Sequence, residues 1–271
     1  MIHQFNLNGY DPNIYKQEEL VIGRKRRISI SKEFRVQSRL RQSFERNLRA
    51  QMRSYFKTYF DEYGKAMETD MEFNQITIDN QIRLTRILEN HYRTVIRAFG
   101  LRLLNQYTKQ EEQFELIYRD YARENVAQKV VLISMATRKY IQRVVEKNIE
   151  EGVGVLALGQ VIRQAGTSGF SRYRSATIAR TETHSAASFA NHRIAQSQNL
   201  PNQRKRWIAT QDNRSRDIHL QVSGTVKPID DDFTVGGMPM SYPGDPRGGA
   251  KNVVNCRCVV VYLSDLDDIS D

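Results

Sequence analysis

The chain has 271 residues, 41 Lys+Arg against 31 Asp+Glu, a formal net charge of +10 and 39% hydrophobic residues. That balance excludes a disordered or membrane-embedded chain and leaves a basic, soluble, foldable one as the expectation. No run approaches the roughly 20 apolar residues that cross a bilayer, the N-terminus lacks a charged-then-apolar secretory pattern, and two cysteines are too few for a disulfide scaffold, so a reducing cytoplasm is the expected compartment.

Residues 1–30 are polar, interrupted by Pro12 and Gly23, and close on the basic run Arg24, Lys25, Arg26 and Arg27, which reads as an extended basic arm. From Lys32 to Glu151 there is no proline, and the only glycines are Gly64 and Gly100, whereas five of the six prolines follow residue 200. A helical body followed by a turn-rich domain is the expected organisation. Ser29 and Ser31 are candidate caps, and breaks at the two glycines give three long helices, about 32–62, 67–107 and 109–150, forming a bundle or stalk over 31–152. The fold class is therefore α+β: an elongated N-terminal region of three long helices, then a small mixed α/β C-terminal domain over 153–263 and an acidic tail over 264–271.

In the first of these helices Arg35, Arg39, Arg46, Arg49, Arg53 and Lys57 follow one another at spacings that fall on a single narrow stripe, while Leu40, Phe44, Leu48, Met52, Tyr55 and Tyr59 take the opposite face. Residues 24–57 hold twelve basic and two acidic side chains, a contribution of +10 that equals the charge of the whole chain. Solvated helix faces normally mix signs, so the stripe implies a polyanionic partner, DNA phosphates first and an acidic protein ring equally served. A membrane surface is disfavoured, because the apolar face lacks tryptophan and has other helices to cover.

The second and third helices carry apolar residues at helical spacing and present no catalytic constellation; His91 stands alone there and reads as structural or exposed. After a short helix flanked by glycines comes an Ala/Ser/Thr-rich one that sets Arg180, His184, Ala187 and Asn191 along one side, with Glu182 nearby, so that Arg180 or His184 can be buried against the next domain.

That domain reads as a strand at "RKRWIAT", a turn entering a short helix at "DNRSRDIHLQ", a long loop with a hairpin, and a closing strand at "CRCVVVYL". Alternation along the last strand puts Cys256, Cys258, Val260 and Tyr262 on one face. The sulfurs share a side, but Cα atoms about 6.5 Å apart along a strand suit a disulfide poorly. Two readings stay open: small apolar thiols packed under the strand, or a zinc ion held by Cys256, Cys258 and His219, with Asp212, Asp217 or His184 as a fourth ligand. A metal-dependent hydrolase or nuclease using Asp212, His219, Cys256 and Cys258 is the enzymatic alternative. Against it, the chain has no H-E-x-x-H, no paired His-Asn-His spacing and no phosphate loop, and no catalytic residue is assigned.

Taken in order, "ARTETHSAASFAN", "RWIATQDNRSRDIHLQVSG", the phenylalanine of "DDDFTVGG" and "YPGDPRGGAKNVVNCRCVVVYL" resemble the C-terminal domain of the phage Mu F-like minor head proteins, the head morphogenesis family, over about 178–263. The matching positions are Arg180, Glu182, Trp207, Asp212, Arg216, His219, Gly224, Asn255, Cys256 and Cys258; one departure is Lys251, where the family favours an acidic residue. The resemblance implies a non-enzymatic virion component of a tailed phage, inside the capsid at the portal vertex. Its implied partners are the portal protein, genomic double-stranded DNA and the major capsid or scaffold protein, with no membrane. It further implies that the matching residues are the scaffold of the small domain.

Overall fold

Ser29 accepts a hydrogen bond from the Lys32 amide at 3.3 Å, satisfying one of the donors that a helix start leaves unpaired. In the computed structural model, which describes residues 26–69, 72–103 and 110–270, this cap opens α1 (Ile30–Ala66), followed by α2 (Phe73–Leu103), α3 (Gln110–Glu150), α4 (Val155–Ala165) and α5 (Gly169–Ser197). α1 and α3, of 37 and 41 residues, run about 55 and 60 Å. The elongated three-helix region of an α+β protein is therefore present.

Gly64 and Gly100 do not break the helices as expected; both lie inside them, near the ends of α1 and α2. Their missing side chains serve packing. A Cβ on Gly64 would stand 2.5 Å from the carbonyl oxygen of Gly159 in α4, and one on Gly100 would overlap the Phe114 ring of α3.

α1 contributes Leu48, Met52, Phe56 and Phe60 to the interior, α2 contributes Leu84, Leu88, Tyr92 and Phe99, and α3 contributes Tyr121 and Ile133. Leu158 and Ile162 of α4 and Ala186, Ala190 and Ile194 of α5 belong to the same cluster. The turn after Glu150 thus separates helices but not cores. α5 is buried at nearly every position from Ile178 to Ala195. Its small side chains let α1, α2 and α3 close around it, which explains a composition too polar for an ordinary core helix.

The C-terminal part adds β2 (Arg204–Ile208), α6 (Asp217–Val222), β3 (Val226–Pro228), β4 (Phe233–Val235), β5 (Met238–Met240), α7 (Gly249–Val253), β6 (Val259–Leu263) and β7 (Asp267–Ser270). The three-stranded sheet has the order β3-β2-β6, antiparallel throughout, with Trp207 opposite Val260. β4 and β5 form the expected hairpin around Gly236 and Gly237, both at positive φ, as a type I′ turn requires.

The closing strand begins later than expected: Cys256, Arg257 and Cys258 are an extended approach to β6 and not part of its ladder. The alternation nevertheless holds. Cys256, Cys258, Val260 and Tyr262 pack with Trp207, while Val261 and Leu263 pack with Ile30 on the other side. The tail over 264–271 carries β7, which pairs in parallel with β1 (Arg26–Ser29), Arg26 opposite Asp267 and Ser29 opposite Ser270. Arg27 lies 3.9 Å from Asp268 across that pair. Residues 26–30 of the expected arm thus form β1 and the start of α1, while residues 1–25, Arg24 and Lys25 among them, lie outside the described residues. Among the described residues no helix is long and apolar enough to cross a membrane.

Candidate functional site

The residues singled out around the cysteines are brought together by side-chain bonds to backbone. Asn255 adopts a positive φ of 59° just before Cys256, a conformation that asparagine tolerates better than most residues. Its amide donates to Thr181 Oγ1 at 3.1 Å and its side-chain oxygen accepts from Arg180 Nη1 at 2.9 Å. Arg216 Nη2 donates to the carbonyl of Val254 at 2.6 Å. Arg257, on the face away from the thiols, forms a two-pronged pair with Asp212, both N–O distances being 2.6 Å. These bonds from Arg257 hold the Asp212 carboxyl well below the usual carboxylate range. Gly224 donates to the carbonyl of Trp207 at 2.7 Å, tying the end of α6 to β2. Trp207 is fully buried and stands edge-on to His219 and Phe233. Lys251, the departure from the pattern, is exposed on α7.

Cys256, Cys258 and His219 meet in the interior. His219 Nδ1 is 3.7 Å from Cys256 Sγ and 3.4 Å from Cys258 Sγ, with all three residues buried. The neighbouring Cys258 holds the Cys256 thiol well below its ordinary range, helped by His184, while Cys256 and burial raise Cys258 well above it. Both cysteines are free. Asp212 and Asp217 do not join this group, although both were expected as candidate ligands: Asp212 is held by Arg257 on the opposite face, and Asp217 is exposed at the start of α6. His184 of α5, by contrast, is buried against Cys256.

α1 supplies the residues that the sequence reading missed. Gln37 Nε2 donates to the carbonyl of Val260 at 3.0 Å, and Asn191 of α5 donates to Gln37 Oε1 at 3.2 Å. One turn on, the buried Arg41 donates to the carbonyls of Cys258 and Arg257 at 3.2 and 3.1 Å and to His184 Nδ1. Burial lowers the pKa of Arg41, and the carboxylate of Glu45 and the thiol groups oppose that shift. A helix of the N-terminal region therefore grips the backbone of the cysteine segment. The signal was available: Arg41 lies four residues from Gln37 and seven from Leu48, on the packing side of α1 and off the basic stripe.

Other polar side chains of the helical part have structural partners as well. Glu182 accepts from Tyr92 Oη at 2.7 Å and lies 3.5 Å from Lys129 Nζ, joining α5 to α2 and α3. His91 is buried and bonds Thr183 Oγ1 through Nε2 at 2.9 Å.

The stripe forms as the spacing implied. Arg35, Arg39, Arg46, Arg49, Arg53 and Lys57 are all exposed, while Leu48, Met52, Tyr55 and Tyr59 are buried. Among the described residues no ion pair or hydrogen bond engages the side chains of Arg39, Arg46, Arg49, Arg53 or Lys57. Glu45, the one acidic residue within this stretch, lies at 3.9 Å from Arg180 and leaves the stripe uncompensated. Arg26 belongs to β1, and Arg27 is exposed beside Asp268.

Comparison with known proteins agrees with the motif order. Residues 139–261 match the family model described as Phage Mu protein F like protein. The uncharacterized protein YqbB of Bacillus subtilis is 28% identical over 137 residues, 49% of this chain and 44% of that protein. NAD(+)--arginine ADP-ribosyltransferase EFV of Enterococcus faecalis is 33% identical over 91 residues, 32% of this chain and 18% of that protein. The chain thus spans less than half the length of each of these relatives. No solved structure matches it.

Proposed function

From a chain whose residues 139–261 form a Phage Mu protein F like domain, we propose a minor head protein of a tailed phage, a structural component acting in head morphogenesis. It sits inside the capsid at the portal vertex, reaches the virion from the host cytoplasm during assembly, and contacts the packaged genome through α1. The family domain supports the head-assembly role. The DNA contact rests on one observation, the row of exposed arginines on α1 that no acidic neighbour neutralises. A rigid helix carrying cations at one-turn intervals can follow a phosphate backbone and release its counterions on binding. Arg27, shared with Asp268, adds to the same positive ground at the start of the helix.

Among the described residues the hydrolase alternative finds no suitable site. A catalytic metal needs an open position reached by substrate, whereas His219, Cys256 and Cys258 are buried and Asp212 is committed to Arg257 on the other face. The partial likeness to an ADP-ribosyltransferase covers 18% of that protein and brings no activity with it.

The test is made in the phage or prophage that encodes the chain. Disruption of the gene is expected to cut the yield of DNA-filled heads, and crosslinking of assembled particles is expected to join α1 to DNA and the C-terminal domain to portal protein. Normal heads in the disrupted phage would contradict the assembly role. Crosslinks from α1 to portal alone would transfer the stripe from DNA to an acidic portal surface.

A further inference from the structure

Three ligand atoms from two separate segments converge inside the small domain. His219 comes from the first turn of α6, Cys256 and Cys258 from the extended approach to β6. Nδ1 of His219 stands 3.7 and 3.4 Å from the two sulfurs, and all three donor atoms lie within 4.8 Å of one another. A single imidazole nitrogen carries either one proton or one lone pair, so it meets one sulfur in a directed hydrogen bond, not two. A tetrahedral ion meets both. Bonds of about 2.3 Å to sulfur and about 2.05 Å to nitrogen place each nitrogen–sulfur edge at about 3.6 Å, between the two observed distances. The geometry points to a zinc site in which Cys256 Sγ, Cys258 Sγ and His219 Nδ1 are ligands.

The surroundings suit a pair of thiolates. The indole of Trp207 lies beside the Cys258 sulfur and His184 beside that of Cys256. Arg41 donates to Nδ1 of His184, which leaves the imidazole proton on Nε2, a buried atom with no hydrogen-bond partner among the described residues. With Nδ1 taken by Arg41 and a proton on Nε2, His184 lines the site beside Cys256 and offers no lone pair as a fourth ligand. Two thiolates and one divalent ion sum to zero charge, so the filled site can stay buried, and a set of two sulfurs with one imidazole selects zinc over magnesium or calcium. Zinc would join α6 to the start of β6, so that its binding free energy becomes stability of the small domain.

Full-length protein purified without chelator is expected to hold stoichiometric zinc by elemental analysis. Its melting temperature should fall on chelation and recover with zinc but not with magnesium. Cobalt substitution should give thiolate-to-cobalt charge-transfer absorption that weakens in Cys256→Ser and in Cys258→Ser. Because those variants can fail to fold, His184→Gln serves as a second probe: it keeps all three ligands and should weaken zinc binding about 10- to 100-fold with helical content unchanged. Folded wild-type protein that takes up neither zinc nor cobalt overturns the assignment. So does full metal content retained in the double variant Cys256→Ser/Cys258→Ser.

Discussion

Around α1, α2, α3 and α5 the interior is filled by aliphatic and aromatic side chains from every helix, whereas the small domain packs Trp207, Phe233, Val235 and Met240 over a much smaller cluster. The small domain makes up the difference with directed bonds. Arg257 holds Asp212, Arg247 pairs with Asp232 at 2.8 Å and Asp245 at 2.7 Å, and Gln37 and Arg41 reach in from α1. A core of this size cannot specify one arrangement by area alone, so polar geometry takes over that work. Trp207, His219, Cys256 and Cys258 sit where the apolar core is thin, while Glu182 lies in the larger one.

The largest expected effect comes from removing the centre of the smaller core. Trp207→Ala should destabilise the small domain by about 3–5 kcal/mol, and amide hydrogen exchange at rising denaturant should then show the strands of the sheet domain exposed before the helices. If both parts unfold together, they share more cooperativity than the two clusters suggest. Arg41→Met removes the donor that serves two buried carbonyls and His184, a loss of about 1–3 kcal/mol; a neutral result would mean that water replaces the guanidinium.

Acid should act on the helical part through a different group. Burial lowers His91 to about 4, so between pH about 6.5 and about 4 the unfolded chain binds a proton that the folded chain refuses, and stability falls as pH falls through that window. His192, lowered by burial to about 3, adds to the same trend. His91→Gln should flatten the pH dependence of stability by up to one proton, measured by denaturation at several pH values. The smallest expected effect on folding is that of the stripe: Arg46→Glu, Arg49→Glu and Arg53→Glu should each move stability by no more than about 0.5 kcal/mol, since thermal unfolding should report only exposed, unpaired side chains.

The helical part was legible because its signals are periodic. Leu48, Met52 and Tyr55 declare a buried face, Arg46, Arg49 and Arg53 an exposed one, and Ser29 a cap. Gly64 and Gly100 misled because a glycine that breaks a helix and one that admits a neighbour look the same in one dimension; only Gly159 and Phe114 tell them apart. In the small domain, alternation foretold the shared face of Cys256, Cys258 and Val260, and residue type foretold that His219 would join them. Asp212 misled because its partner, Arg257, faces away from the thiols, and charge pairing across 45 residues leaves no local trace. Arg41 went unread because a charge on a packing face is easily assigned to the stripe beside it, and its acceptors are backbone carbonyls more than two hundred residues away.

α1 has two faces: one grips the C-terminal domain through Gln37 and Arg41, and the other carries the exposed arginines proposed to meet DNA. The most direct test is the salt dependence of double-stranded DNA affinity for the wild-type protein and for Arg46→Glu/Arg49→Glu/Arg53→Glu. If the stripe contacts phosphates, the variant should keep its melting temperature, bind far more weakly, and show a log–log salt slope smaller by about 3, near 0.9 for each lost contact. An unchanged slope and affinity in a folded variant would contradict the account.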